Sequence, residues 1–281
     1  MSAITSLPNP APAPAPATPG TLKVTQARVL RSEWLKFRSL RSTLYTSLTA
    51  VVLTIGISAL MSALTASQYP TYSPAEKASV DPIGTSLAGF SFAVVAFGVL
   101  GVLLMSGEYS TGMIRSSLTV VPRRLPVLWA KLAVFAAVTF SVSLVTSLVS
   151  FFLGQALLDG QHIGVTLSAT GALRSVIGAA LYVTVAGMIG VALGALLRNT
   201  AAGISIFAAV FFVIPPLMNL LPFSVRAHSA QYLPSNAGQA LWGGAYGVAH
   251  PLSPWTGFAL LCGYAVILIG AAAWRLRRAD A

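Results

Sequence analysis

The residues best placed to do chemistry lie in one polar segment, Glu108–Arg124, set between two long apolar runs. Read as a helix, Glu108, Thr111, Arg115 and Thr119 form a polar stripe, and Ile114, Leu118 and Val121 form an apolar one. Two faces predict two contacts, one with membrane or bundle and one with something in water. A carboxylate and a guanidinium on one stripe suit charge-assisted recognition of another surface better than bond making. Glu108 is expected in the first turn, at the positive end of the helix dipole. Pro122 is expected to stop the helix, with Arg123 and Arg124 holding the chain at the membrane surface.

Motifs for covalent chemistry are missing from the sequence. It has no GxxxxGK[ST] loop, no HExxH, no paired-cysteine motif and no GxSxG. The expectation is a chain that is not an enzyme, binds no nucleotide or cofactor itself and holds no metal. His162, His228 and His250 are scattered over two loops and read as solvated side chains rather than ligands. The single cysteine, Cys262, lies in the last apolar run, so no internal disulfide forms and it reads as a packing residue.

The elements that position the polar segment are membrane spans. Of 281 residues, 56% are hydrophobic and only 8% charged, with mean hydropathy +0.79. A soluble domain carries roughly a quarter charged residues. Six apolar runs have the length of a helix that crosses a bilayer: 43–65, 84–105, 127–153, 176–197, 200–221 and 256–274. Strand-like alternation is absent, so helices must satisfy the backbone. The runs hold no central acid or cation, with Lys131 and Arg174 expected to snorkel at interface depth. That weighs against an ion-coupled pump.

A net charge of +11 would suggest nucleic acid for a soluble protein, but its distribution points to the membrane instead. With both termini on one side, fourteen of the seventeen cations fall on that side, against three acids. Cations retained inside set orientation, which predicts cytoplasmic termini in a plasma (inner) membrane and no nucleic-acid partner. The first apolar run follows six cations and reads as an uncleaved anchor.

Residues 1–23 hold an alternating Pro/Ala tract and are expected to form a disordered cytoplasmic leader. Residues 24–42 are amphipathic. Val29, Leu30, Trp34, Phe37 and Leu40 fall on one side and Arg28, Arg31, Lys36 and Arg38 largely opposite, with Glu33 and Arg41 as exceptions. Trp beside cations predicts a helix lying in the lipid interface. Residues 43–274 form the six-span domain, and 275–281 a cytoplasmic tail. Pro215-Pro216 near the end of the fifth run, with Trp242 and a Gly-rich LWGGAYG in the loop that follows, suggest broken helices dipping back into the outer leaflet, an ordinary outer loop being the other reading. Ala186, Gly190 and Gly194 recur at four-residue spacing, which suits either a close helix seam between subunits or the general Ala/Gly richness of the chain.

The stretch EYSTGMIRSSLTVVPRRLPVLWAK resembles the segment joining the second and third spans of type-2 exporter permeases of the ATP-binding-cassette (ABC) class. The matching positions are Glu108-Tyr109, Gly112, Arg115, Leu118, Pro122 with Arg124, and Lys131; Met113 departs from the Thr often found there. SEWLKFRSLRST, residues 32–43, resembles the N-terminal elbow of actinobacterial members. The resemblance implies an all-α integral membrane protein of six transmembrane helices. It adds an N-terminal amphipathic elbow helix, a cytoplasmic coupling helix and a re-entrant outer segment before the last span.

It also implies partners: a second permease copy (homo- or heterodimer), membrane lipid, and a separate ABC ATPase that brings the ATP and Mg. In that reading the polar segment is a coupling helix seated in the ATPase. Glu108, Tyr109, Arg115 and Leu118 meet the partner, Gly112 permits close approach, and Pro122, Arg123 and Arg124 set the exit angle. Trp34, Lys36 and Arg38 anchor the elbow. Two other classes stay open from the residues alone, a non-transporting scaffold or sensor that docks a cytoplasmic partner, and a secondary transporter or channel.

Overall fold

The computed structural model describes residues 26–39, 41–110, 124–243 and 248–278. Among these residues every regular element is helical. A short helix α1 (Gln26–Ser39) leads into α2 (Arg41–Gln68). Two small helices, α3 (Pro74–Ser79) and α4 (Pro82–Ser86), precede α5 (Phe90–Ser110). The long α6 (Arg124–Asp159) and α7 (Ala172–Leu197) follow. The fifth span is interrupted: α8 (Thr200–Ala208), a π turn (Ala209–Val213) and α9 (Ile214–Leu217). Then come α10 (Phe223–Ser229), α11 (Pro234–Gln239) and α12 (Pro254–Arg278). Six of the described helical stretches are long and apolar enough to cross a membrane, in agreement with the sequence.

The span boundaries shift for local reasons. The second span begins at Phe90 rather than 84, because Asp81 starts a separate helix there. Its carboxylate accepts from the Ile83 N–H at 3.1 Å, capping α4. The chain then turns at Gly89, whose N–H donates to Ser58 Oγ on α2 at 3.1 Å. The third span exceeds 127–153 at both ends. In the fifth span, Pro215 and Pro216 have no N–H to offer Phe211 and Phe212 one turn earlier, and their rings crowd those carbonyls. The backbone widens instead, and the Ile214 N–H reaches back five residues to Ala209.

Helix α7 is the hub: 83% of its spanning window is buried, against 17% for the fifth span. It packs most extensively on α5 and α6. The α5–α7 contact is a backbone-to-backbone approach. A side chain at Gly190 would collide with the Gly98 carbonyl, one at Gly194 with that of Val102, and one at Gly101 with that of Gly187. The small-residue face of the fourth span is therefore used within the chain and is no seam between subunits.

Candidate functional site

The polar segment emerges from α5 and returns into α6, and the structure fixes both stems. The first stem differs from expectation, because α5 continues through Ser110. Glu108 thus lies on α5 rather than in the first turn of a separate helix. The residues Gly112, Arg115, Leu118, Pro122 and Arg123 lie outside the described residues, as do the side chains of Glu108, Arg124, Lys36 and Arg38.

Tyr109 is half-buried against the core, and the Arg198 guanidinium lies over its ring at 5.0 Å. Arg198 is the left-handed cap of α7, with φ 53° and its N–H on the Gly194 carbonyl at 3.1 Å. A non-glycine residue in that region is uncommon. Asn199 then starts α8, its Oδ1 accepting from the Ala202 N–H at 3.0 Å. One turn below Tyr109, Ser106 Oγ accepts from the Thr200 hydroxyl at 2.8 Å. The end of α5 is thereby fastened to the α7–α8 turn at two points.

The second stem is fastened to α1. Lys131, on α6, places its Nζ 2.8 Å from Glu33 Oε2, with side-chain exposures of 2% and 5%. Nearer the polar segment, Gln26 Nε2 donates to the Pro126 carbonyl at 3.3 Å. Two expectations change here. Lys131 does not snorkel to the interface but is buried against a carboxylate, and Glu33 is not an exception on the wheel but the residue that turns α1 inward. The apolar side of α1 is split accordingly. Leu30 packs on the core, while Trp34 and Leu35 are exposed. The pair could have been found from sequence by one signal: each partner is a lone charge of its sign, Glu33 among cations and Lys131 among apolar residues. Arg198 carried no such mark.

At the opposite end of the bundle, the predicted broken segment is bedded into the protein. The Tyr264 hydroxyl of α12 donates to the Tyr232 carbonyl at 2.9 Å. Gly238 lies against the Tyr182 ring, and Gly257 of α12 against the Ala237 carbonyl, so α11 is wedged between two spans. Trp242 is buried in the core, 1% exposed. Pro215 and Pro216 line a cavity with residues of α10 and α11.

The sequence profile of the family described as ABC-2 family transporter protein matches residues 29–216. No curated protein sequence matches the chain.

Proposed function

The chain belongs to the ABC-2 transporter family and is a multi-pass membrane permease component of an ABC transporter, and from this premise we propose that it is driven by a separate ABC ATPase to export its substrate. In this reading the polar segment Glu108–Arg124 is the cytoplasmic coupling element, with both termini on the same side of the plasma (inner) membrane. The cation excess on that side supports the orientation. ATP and Mg stay with the ATPase subunit.

The observation that carries the coupling reading is the fastening of both stems of 111–123. A push on that segment reaches the α7–α8 turn through Tyr109 and Arg198, and reaches α1 through Lys131 and Glu33. One cytoplasmic contact thus moves the hub helix and the interfacial helix together. Closely packed elements transmit such displacements rather than absorb them. The exposed Trp34, next to the exposed Arg31, supports α1 as an elbow in the lipid interface, with Lys36 and Arg38 as further anchors. The low burial of α2 and of the fifth span leaves faces for lipid and for a second permease copy. The bedded segment from Pro215 to Trp242 supports a re-entrant cap at the outer end.

Co-expression with a candidate ABC ATPase tests the reading. Glu108→Lys and Arg115→Glu are each expected to lower co-purification and permease-stimulated ATP turnover by at least about tenfold, the scale of a lost charge-assisted contact. Unchanged co-purification and turnover in both would sink the assignment.

A further inference from the structure

Between the fifth span and the segment that follows it lies a cavity of about 310 Å³, within the size range of small-ligand sites (about 300–1,000 Å³). It is at the end of the bundle opposite the Glu33–Lys131 pair. Its apolar lining comes from Phe211 and Met218, with Pro215 and Pro216 where the helix is interrupted. Ser91, Asn219, Arg226 and Ser235 also line it.

The polar lining has a bias. Arg226 Nη1 donates to Asn219 Oδ1 at 3.1 Å, and its guanidinium lies over the Phe223 ring at 5.6 Å. Because Arg can only donate, that bond fixes the Asn219 amide with its oxygen on Arg226, leaving its NH2 as a donor. The Ser235 hydroxyl is a second free donor: its side chain is 1% exposed and its Oγ has no hydrogen-bond partner. A buried hydroxyl left so is costly unless something fills the site. Asn236 is already engaged, its Nδ2 donating to the Ala230 carbonyl at 2.8 Å. Among the described residues no carboxylate lines the cavity. One fixed cation, an amide NH2 and hydroxyls, with no opposing acid, form a set of donors for an oxyanion.

The surroundings say what carries that oxyanion. Beside the cavity, Leu217, Leu220 and Phe223 are 50%, 80% and 65% exposed, an apolar ridge on the side of the broken span. We propose that this cavity binds the phosphate head of an amphiphile, with Arg226, Asn219 and Ser235 on the oxyanion and the alkyl chain along the Leu217–Phe223 ridge. Binding needs neither ATP nor a partner subunit, so it stands or falls apart from the exporter reading.

The test titrates the purified full chain, in an uncharged detergent, with dodecyl phosphate, inorganic phosphate and dodecyltrimethylammonium. Saturable binding of dodecyl phosphate is expected, weakened about tenfold or more in Arg226→Gln and largely kept in Arg226→Lys. Ser235→Leu, which fills the cavity and leaves the charge in place, is expected to abolish it while thermal unfolding confirms that the chain is folded. Inorganic phosphate is expected to compete only weakly. Equal binding by wild type and both Arg226→Gln and Ser235→Leu overturns the site. Equally tight binding of dodecyltrimethylammonium overturns the anion preference, and inorganic phosphate binding as tightly as dodecyl phosphate overturns the amphiphile.

Discussion

Lys131 and Glu33 meet at 2.8 Å, 98 residues apart in the chain and both nearly shut off from water. Breaking one partner of such a pair strands a buried charge, at a cost of about 3–5 kcal/mol, whereas neutralising both costs far less. Glu33→Gln and Lys131→Met are each expected to lower the unfolding temperature sharply. The double variant is expected to fall less than the sum of the two. A double-mutant cycle on thermal unfolding in detergent measures the coupling, and strict additivity would show that the pair contributes nothing as a pair.

Arg198 separates a backbone role from a side-chain role. Glycine adopts its left-handed conformation without a steric cost, so Arg198→Gly is expected to keep the α7–α8 turn and leave the unfolding temperature within a few degrees of wild type. Losing the guanidinium over Tyr109 is expected to reduce transport per ATP hydrolysed in vesicles reconstituted with the partner ATPase. Full coupling in a stable Arg198→Gly protein would remove this contact from the transmission path.

At the α5–α7 seam, Gly190→Val is expected to destabilise by about 1–3 kcal/mol, the usual cost of overpacking, because the added carbon meets backbone rather than a movable side chain. Gly270→Ala on α12 is the control. A side chain there meets nothing within 4 Å, and alanine is the better helix former by about 1 kcal/mol. Unfolding in a graded denaturant compares them, and equal stability of both variants would contradict the close approach.

Outside the spans, Ser73 and Glu76 cap α3 reciprocally, with the Ser73 N–H on Glu76 Oε2 at 2.7 Å. Hydrogen bonds from the Ser73 side chain, and then from its backbone, hold the Glu76 carboxyl below its ordinary value. A depressed carboxylate adds stability above its unfolded-state pKa and loses it as the pH falls through its folded-state value. The cap is therefore expected to hold at neutral pH and to fail on acidification. An NMR titration is expected to show the Glu76 pKa rising in Ser73→Ala, and an unmoved value would discount the cap.

The six spans were legible because length and apolarity suffice to recognise a helix that must bury its backbone in lipid. The interruption of the fifth span was legible at Pro215 and Pro216, where the missing N–H is a property of the residue itself. What was not legible depends on helix rotation. Whether Glu33 faces lipid headgroups or Lys131 is settled only when α1 lies on α6, since one turn of a wheel cannot say which neighbour occupies each side. The burial of Trp242 was not legible either: the sequence puts it in the broken segment, but only the wedging of α11 between two spans decides that its indole lands in the core. The placement of Glu108 on α5 was hidden because the apolar run ends near Met105, yet the helix continues through Ser110.

The burial of α7 has a consequence for how the protein is made. Its main neighbours, α5 and α6, both precede it along the chain. When the fourth span leaves the insertion machinery, the groove that receives it already exists, and chains build their N-terminal parts first. A nascent chain halted after Asn199 already holds the contacts among α5, α6 and α7, whereas α8 to α12 arrive afterwards and complete the core with Phe207, Trp242 and Leu261. Nonsense and frameshift lesions late in the reading frame would then leave an inserted, partly packed remnant for membrane quality control to recognise by the core it lacks, rather than an unfolded chain.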